Sequence, residues 1–154
     1  MSAAAPQDGR KYFMLPQGCE GGDYYTYGTP DGGRFQYAHH QTITLLQTLS
    51  FQWSAMDDRP FGVGNISLAN GGENDDHHSH INGLQIDIRP LRKDGRQVGC
   101  TIFDRQYDRE ATTRLIALFF KNPFVLRILF NDAAIPHVRP WDKHDNHFHV
   151  EVKP

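Results

Sequence analysis

Apolar and polar residues alternate in two short stretches of this chain, and the alternation predicts two half-buried strands. In HFHVEV, residues 147–152, Phe148, Val150 and Val152 fall on one face, and His147, His149 and Glu151 on the other. In LQIDIR, residues 84–89, Leu84, Ile86 and Ile88 alternate with Gln85, Asp87 and Arg89. Two other segments repeat apolar residues at three- and four-residue steps and predict helices. Residues 37–56 carry Ile43, Leu46, Leu49 and Trp53, widened by Leu45 and Phe51 and bounded by Pro60. Residues 108–121 carry Leu115, Leu118 and Phe119, with Ile116 beside them.

The remaining segments read more coarsely. FVLRILF (124–130) predicts a buried strand, and FGVGNISL (61–68) a strand whose glycines allow close backbone approach. The D-G pair in KDGR (93–96) is a hairpin signal, predicting that 84–89 pairs with a strand at 97–103. A short strand is expected at 10–15. Residues 16–34, rich in Gly, Tyr and Asp, read as an irregular loop. Its Tyr24, Tyr25 and Tyr27 suit ordinary packing or the wall of a cleft. Residues 131–143 read as a long loop holding His137 and Trp141. Helices interspersed among hairpin strands predict an α+β fold: a single domain with a small, mostly antiparallel sheet and helices packed on one side. Residues 1–9 are expected to be a disordered lead, and 10–154 the domain.

Composition narrows the function classes. At 154 residues one domain is expected, and a chain this size buries about 68–70% of its unfolded surface without staples. A net charge of −2 gives no sign of a nucleic-acid or anionic-membrane partner. No run approaches the ~20 apolar residues of a membrane span, and MSAAAPQDGRKYF has no apolar core of a secretory signal. Cys19 and Cys100 allow one disulfide or none, and the lack of a C-x-x-C argues against a sulfur-rich structural zinc site.

What remains is histidine. The chain has nine, most of them in HHSH (77–80) and HDNHFH (144–149). On a strand, His147 and His149 share a face at roughly 7 Å between Cα atoms. Asp87 stands on the polar face of an otherwise apolar run, where a carboxylate needs a partner. If the two polar faces line one cleft, His80, Asp87 and His149 supply three metal ligands and leave a fourth position for water. That donor set is a catalytic zinc pattern, and it suits amide hydrolysis. The base is open among His77, His144 and His147, of which one can take a proton and another donate to the developing oxyanion. Asp145 or Glu151 can hold an imidazole in its tautomer. His78 faces the wrong way and is left out, His137 is unassigned, and His39 and His40 read as structural or exposed. Arg89 and Arg139 can grip a substrate carboxylate, though a solvated arginine is the plainer reading.

VGNISLANGG (63–72), HHSHINGLQIDI (77–88) and HDNHFHV (144–150) together resemble penicillin-insensitive murein endopeptidase, within the wider lysostaphin, D-Ala-D-Ala peptidase and hedgehog group. The group's H-x6-D and H-x-H appear as His80-x6-Asp87 and His147-x-His149. The closer family's extra histidines match His77 and His144, and the resemblance spans about residues 25–152. It implies a hedgehog-like fold with Zn2+ on His80, Asp87 and His149. It places His147 beside the metal to stabilise the tetrahedral intermediate, His144 where related peptidases use a glutamate base, and His77 as an outer histidine. The implied substrate is peptidoglycan, cut between D-alanine and meso-diaminopimelate in the periplasm or cell wall. Usual members carry a signal peptide and several disulfides, which this sequence does not show. That departure fits a mature form, or an antibacterial effector with an immunity protein. A monomer is expected. The competing expectations are a non-catalytic zinc-stabilised binding module, and a zinc carboxypeptidase or amidase on the same polymer.

Overall fold

The computed structural model describes residues 11–18, 22–28, 33–72 and 79–154. The expected N-terminal lead, Cys19, His77 and His78 lie outside these residues, and so does any pairing of Cys19 with Cys100. The strands are β1 (Phe13–Met14), β2 (Tyr24–Thr26), β3 (Tyr37–Ala38), β4 (Phe61–Val63), β5 (Gln85–Ile88), β6 (Val125–Leu129), β7 (Val138–Arg139) and β8 (Phe148–Val152). The helices are α1 (His40–Ser54), between β3 and β4, and α2 (Arg109–Lys121), between β5 and β6. β1 and β3 form a small two-stranded sheet. The main sheet runs β2-β4-β5-β8-β6-β7, with antiparallel pairing across its four inner strands and a parallel strand at each edge. The α+β expectation holds: a single domain with two helices and a mixed, mostly antiparallel sheet.

Alternation decides which face is buried. Ile86 and Ile88 of β5 and Phe148 and Val150 of β8 are fully buried, in one core with Leu45, Leu46, Leu49 and Trp53 of α1 and Leu115, Ile116 and Phe119 of α2. Phe119 sets its ring edge-on to Phe61 (6.0 Å) and Phe148 (5.7 Å), locking helix to sheet. Gln85, Asp87, His149 and Glu151 therefore face away from the helices. α2 begins at Asp108, whose carboxylate accepts from Ala111 N–H, and ends before Pro123. α1 is capped by an imidazole: His39 Nδ1 accepts from Gln41 N–H at 3.1 Å. His39 is thus structural, and His40 is exposed.

Several expected elements differ. Residues 97–103 form no strand, because both edges of β5 are taken by β4 and β8. The KDGR turn closes locally instead, through Arg92 on Asp94 (2.6 Å) and Gly95 at φ +69°. The segment read as loop at 16–34 contains β2, and the loop at 131–143 contains β7; each is a short parallel edge strand. The first helix starts at His40 rather than residue 37, since Tyr37 and Ala38 pair with β1. It ends at Ser54, ahead of Pro60. The strand at 61–68 stops at Val63, beyond which Ser67 only bridges Gln36. The strand read as buried at 124–130 is not buried throughout: a register shift near Val125 leaves Leu126 57% exposed.

Candidate metal centre

The site assembles where β5 and β8 pair. Asp87 and His149 are direct cross-strand partners, and His149 Nδ1 lies 3.0 Å from Asp87 Oδ1. His80 comes from the loop before β5, and its Nε2 lies 3.2 Å from the same oxygen. The His80 and His149 rings meet edge to face at 4.9 Å. His80, Asp87 and His149 each offer one donor atom within 4.8 Å of the others. Both histidines are buried, and the Asp87 side chain is 13% exposed. The sheet thus brings together the three residues that spacing alone had matched.

His80 is held in an uncommon backbone state, φ +62°, which a non-glycine residue adopts only when its surroundings hold it there. Its backbone N–H donates to Gln85 Oε1. Its Nδ1–H donates to Ile66 C=O at 3.0 Å, which fixes the ring orientation and leaves Nε2 facing Asp87. The loop is itself fastened to α1. Gly83 C=O accepts from Thr42 Oγ1 at 2.6 Å and from His39 N–H at 3.0 Å. Gly83 has φ +71°, and a Cβ there would stand 2.4 Å from His39 N, so glycine is required twice over.

Asp87 has no lysine or arginine within ion-pair distance among the described residues; imidazoles surround it. Burial alone would raise its pKa. Hydrogen bonds from His149 and His80 overcome that and hold it far below the usual carboxylate range. Burial also lowers the pKa of His80, but there the bond and charge of Asp87 outweigh it, and the net shift is upward. His147, with Nε2 3.7 Å from Asp87 Oδ1, has its pKa lowered by burial despite Asp87.

The residues present fit a metal ion. Tetrahedral zinc with ligands at ~2.0–2.1 Å places neighbouring donors about 3.3 Å apart. The two donor pairs on Asp87 Oδ1 stand at 3.2 and 3.0 Å. Two imidazoles and a carboxylate are a donor set that suits zinc.

His144 and His147 flank this set, their rings 4.7 Å apart. His144 Nδ1–H donates to Asp142 C=O at 2.7 Å, leaving Nε2 as the ring's acceptor. Its loop is pinned by Asn131, a residue that sequence reasoning missed. Asn131 Oδ1 accepts from Trp141 N–H (2.8 Å), its Nδ2 donates to Asp145 (2.9 Å), and its N–H donates to His144 C=O (3.0 Å). Asp145 is therefore engaged by Asn131 rather than by an imidazole, while Glu151 lies 3.8 Å from His149 Nε2. Gln85 was likewise missed, because a partially buried glutamine on a polar strand face carries no signal of its contact. His137 stacks on Phe120 at 4.2 Å, and Arg139 is exposed on edge strand β7; neither lines the clefts beside the site.

Two clefts meet at Asp87 and His147. One, of about 380 Å³, is walled by Arg127, Leu129, Trp141, His144 and Glu151. The other, of about 320 Å³, is walled by Tyr27, Asn65, Arg89, Thr101 and Asn146. Of the three tyrosines, Tyr27 lines a cleft beside the site, Tyr25 packs beside it (6.4 Å between rings), and Tyr24 belongs to the core.

The chain is similar to penicillin-insensitive murein endopeptidases of Escherichia coli K12 (strain DH10B), Escherichia coli O139:H28 and Shigella boydii serotype 18. Each is 26% identical over 161 aligned residues, covering 85% of this chain and 58% of the relative. The chain thus spans less than two thirds of the length of these relatives. The family model for penicillin-insensitive murein endopeptidase matches residues 21–118, a span that includes His80 and Asp87 and stops short of β8. With well over half of its length matched, the chain belongs to the penicillin-insensitive murein endopeptidase family.

Proposed function

We propose that the chain is a zinc-dependent endopeptidase that hydrolyses the peptide cross-links of peptidoglycan, at the bond between D-alanine and meso-diaminopimelate. The observation that carries this reading is the convergence of His80, Asp87 and His149 on one point between two open clefts. Family membership supplies the polymer.

In this reading His80, Asp87 and His149 would hold the ion, with His80 Nε2 and His149 Nδ1 the imidazole atoms that face Asp87. Zinc held there would supply Lewis acidity toward the scissile carbonyl and toward water. The His144 Nε2 lone pair takes the proton of the attacking water, since its Nδ1–H is committed to Asp142 C=O. His147, on the Asp87 side of the same cleft, donates to the oxyanion as the carbonyl carbon becomes tetrahedral. Its Nδ1 faces the Asn146 side chain at 2.7 Å, and an amide can present either its oxygen or its NH₂ there. The NH₂ orientation places the imidazole proton on Nε2, the atom facing the site. Water adds across the amide, giving a carboxylic acid on the D-alanine side and an amine on the diaminopimelate side. His77 is assigned an outer position in the site by analogy with the family. The substrate lies in the cell wall, so the protein acts there. As an antibacterial effector, it would be silenced by an immunity protein that covers these clefts.

The test is digestion of cross-linked muropeptides by purified, zinc-loaded protein, read by product mass. Cross-links opened at D-Ala–diaminopimelate, and protected by chelator or Asp87→Ala, support the proposal. Fragments of a carboxypeptidase or amidase would replace it. A Tm that depends on zinc without any cleavage would make the fold a metal-stabilised binding module.

A further inference from the structure

Arg89 stands out among the arginines of the described residues. Arg59, Arg92, Arg109, Arg114 and Arg127 each have a carboxylate within 3.2 Å. Arg34, Arg96, Arg105 and Arg139 are exposed. Arg89 is partly buried, and no carboxylate lies within ion-pair distance among the described residues. A guanidinium taken partly out of water without a counter-charge is costly, and what surrounds Arg89 orients it rather than neutralises it. The group lies 3.8 Å from the Tyr27 ring centroid and 5.9 Å from that of Tyr25, and it reaches Gln97 C=O at 3.5 Å. Gly64 lets the Tyr27 ring in, since a Cβ there would stand 2.6 Å from the ring. A guanidinium has five N–H donors in a planar fork, and these contacts use few of them.

Its position relates it to the metal centre. Arg89 follows Asp87 by two residues, and its N–H, donating to Gly62 C=O at 3.0 Å, continues the ladder past β5. Both side chains therefore emerge on one face, about 7 Å apart at Cα, and both line the Tyr27–Asn146 cleft. Among the described residues the opposite cleft has no comparable charge, because Arg127 is held by Glu151 at 2.7 Å. The other carboxylate along the Arg89 cleft, Asp104, is exposed and accepts from Thr101 N–H at 2.7 Å.

We propose that Arg89 binds a free carboxylate of the substrate, the one on the carbon that bears the scissile nitrogen. This rests on the murein reading: in a D-Ala–diaminopimelate cross-link, that carbon carries a carboxylate. The assignment gives the substrate a direction. The amine half lies in the cleft of Tyr27, Arg89 and Asn146, and the acyl half lies against Leu129 and Trp141. Arg89 is a specificity and positioning residue, placed to hold the scissile bond in register over Asp87.

The test compares two synthetic cross-links, one with that carboxylate free and one with it converted to the amide, cleaved by the zinc-loaded wild type, Arg89→Gln and Arg89→Lys. A charge-assisted bidentate contact predicts that the wild type prefers the acid by about ten- to a hundredfold in kcat/KM. Arg89→Gln loses that preference, because it slows cleavage of the acid far more than of the amide, and Arg89→Lys keeps part of it. Equal cleavage of acid and amide by the wild type overturns the proposal and leaves the endopeptidase reading standing. So does an Arg89→Gln variant that slows both substrates alike, the result of a merely structural role. Cleavage of neither substrate by the wild type overturns the endopeptidase reading, and this proposal with it.

Discussion

Asp87 on β5 and His149 on β8 sit directly opposite each other, and His149 Nδ1 lies 3.0 Å from Asp87 Oδ1. An antiparallel pair brings residues from the two halves of the site to within ~4.5–5.5 Å at Cα. Once the hydrophobic alternation of both strands is satisfied, the carboxylate and the imidazole meet. His80 completes the group from a loop tied to Ile66 and Gln85.

Metal removal should therefore register in stability as well as activity. Chelation is expected to lower Tm and abolish muropeptide cleavage, and added zinc to restore both. Binding at a hundred times Kd is worth about 2.7 kcal/mol. Asp87→Ala should lose stoichiometric zinc by metal analysis, and a variant that keeps it would contradict this ligand set.

His144 and His147 should separate from the ligands by the same measurement. His144→Ala and His147→Ala are expected to retain zinc while kcat falls by about a hundred- to ten-thousandfold. Loss of zinc from either variant would move that histidine into the ligand set.

Asn131 holds the loop of His144 through three hydrogen bonds. Asn131→Ala should cost about 1–3 kcal/mol in urea unfolding and lower kcat by about ten- to a hundredfold through misplacement of the imidazole. Zinc content should not change. Unaltered kcat in a destabilised variant would deny Asn131 its part in positioning.

Asp57, which is not among the metal-binding residues, is bracketed by Arg59 (2.7 Å) and Arg114 (3.2 Å). Its side-chain hydrogen bond to Arg59 leads the causes that lower its pKa to about 2, against the opposing effect of burial. A depressed folded-state pKa means that stability is present above the unfolded value, near pH 4, and is lost as pH falls toward 2. Asp57→Asn should cost about 2 kcal/mol at pH 7, and the deficit should shrink across that window. A deficit that persists undiminished at pH 2 would rule out the ion pairs as its source.

The site was legible in the sequence to an unusual degree, for a physical reason. Alternation in 84–89 and 147–152 is local, and it assigns Asp87 and His149 to polar faces without knowledge of the partner strand. The helical periods of α1 and α2 are local in the same sense, although Tyr37 and Ala38 went to a strand because β1 was there to pair with them. Pairing itself is not local. The D-G turn at 93–96 carries a hairpin signal, yet β5 found β4 and β8 and left 97–103 without an edge to join. β2 and β7 are two or three residues long and parallel, so neither leaves a pattern that could be read. The sequence by itself determined which side chains could bind a metal and which faces they share, because these follow from backbone periodicity over a few residues. Only the tertiary structure decided that His80 turns inward at positive φ, that Asn131 fastens the His144 loop, and that Arg89 lies on Tyr27 beside Asp87. Each of those depends on contacts between segments distant in the chain, set by how the sheet closes over its core.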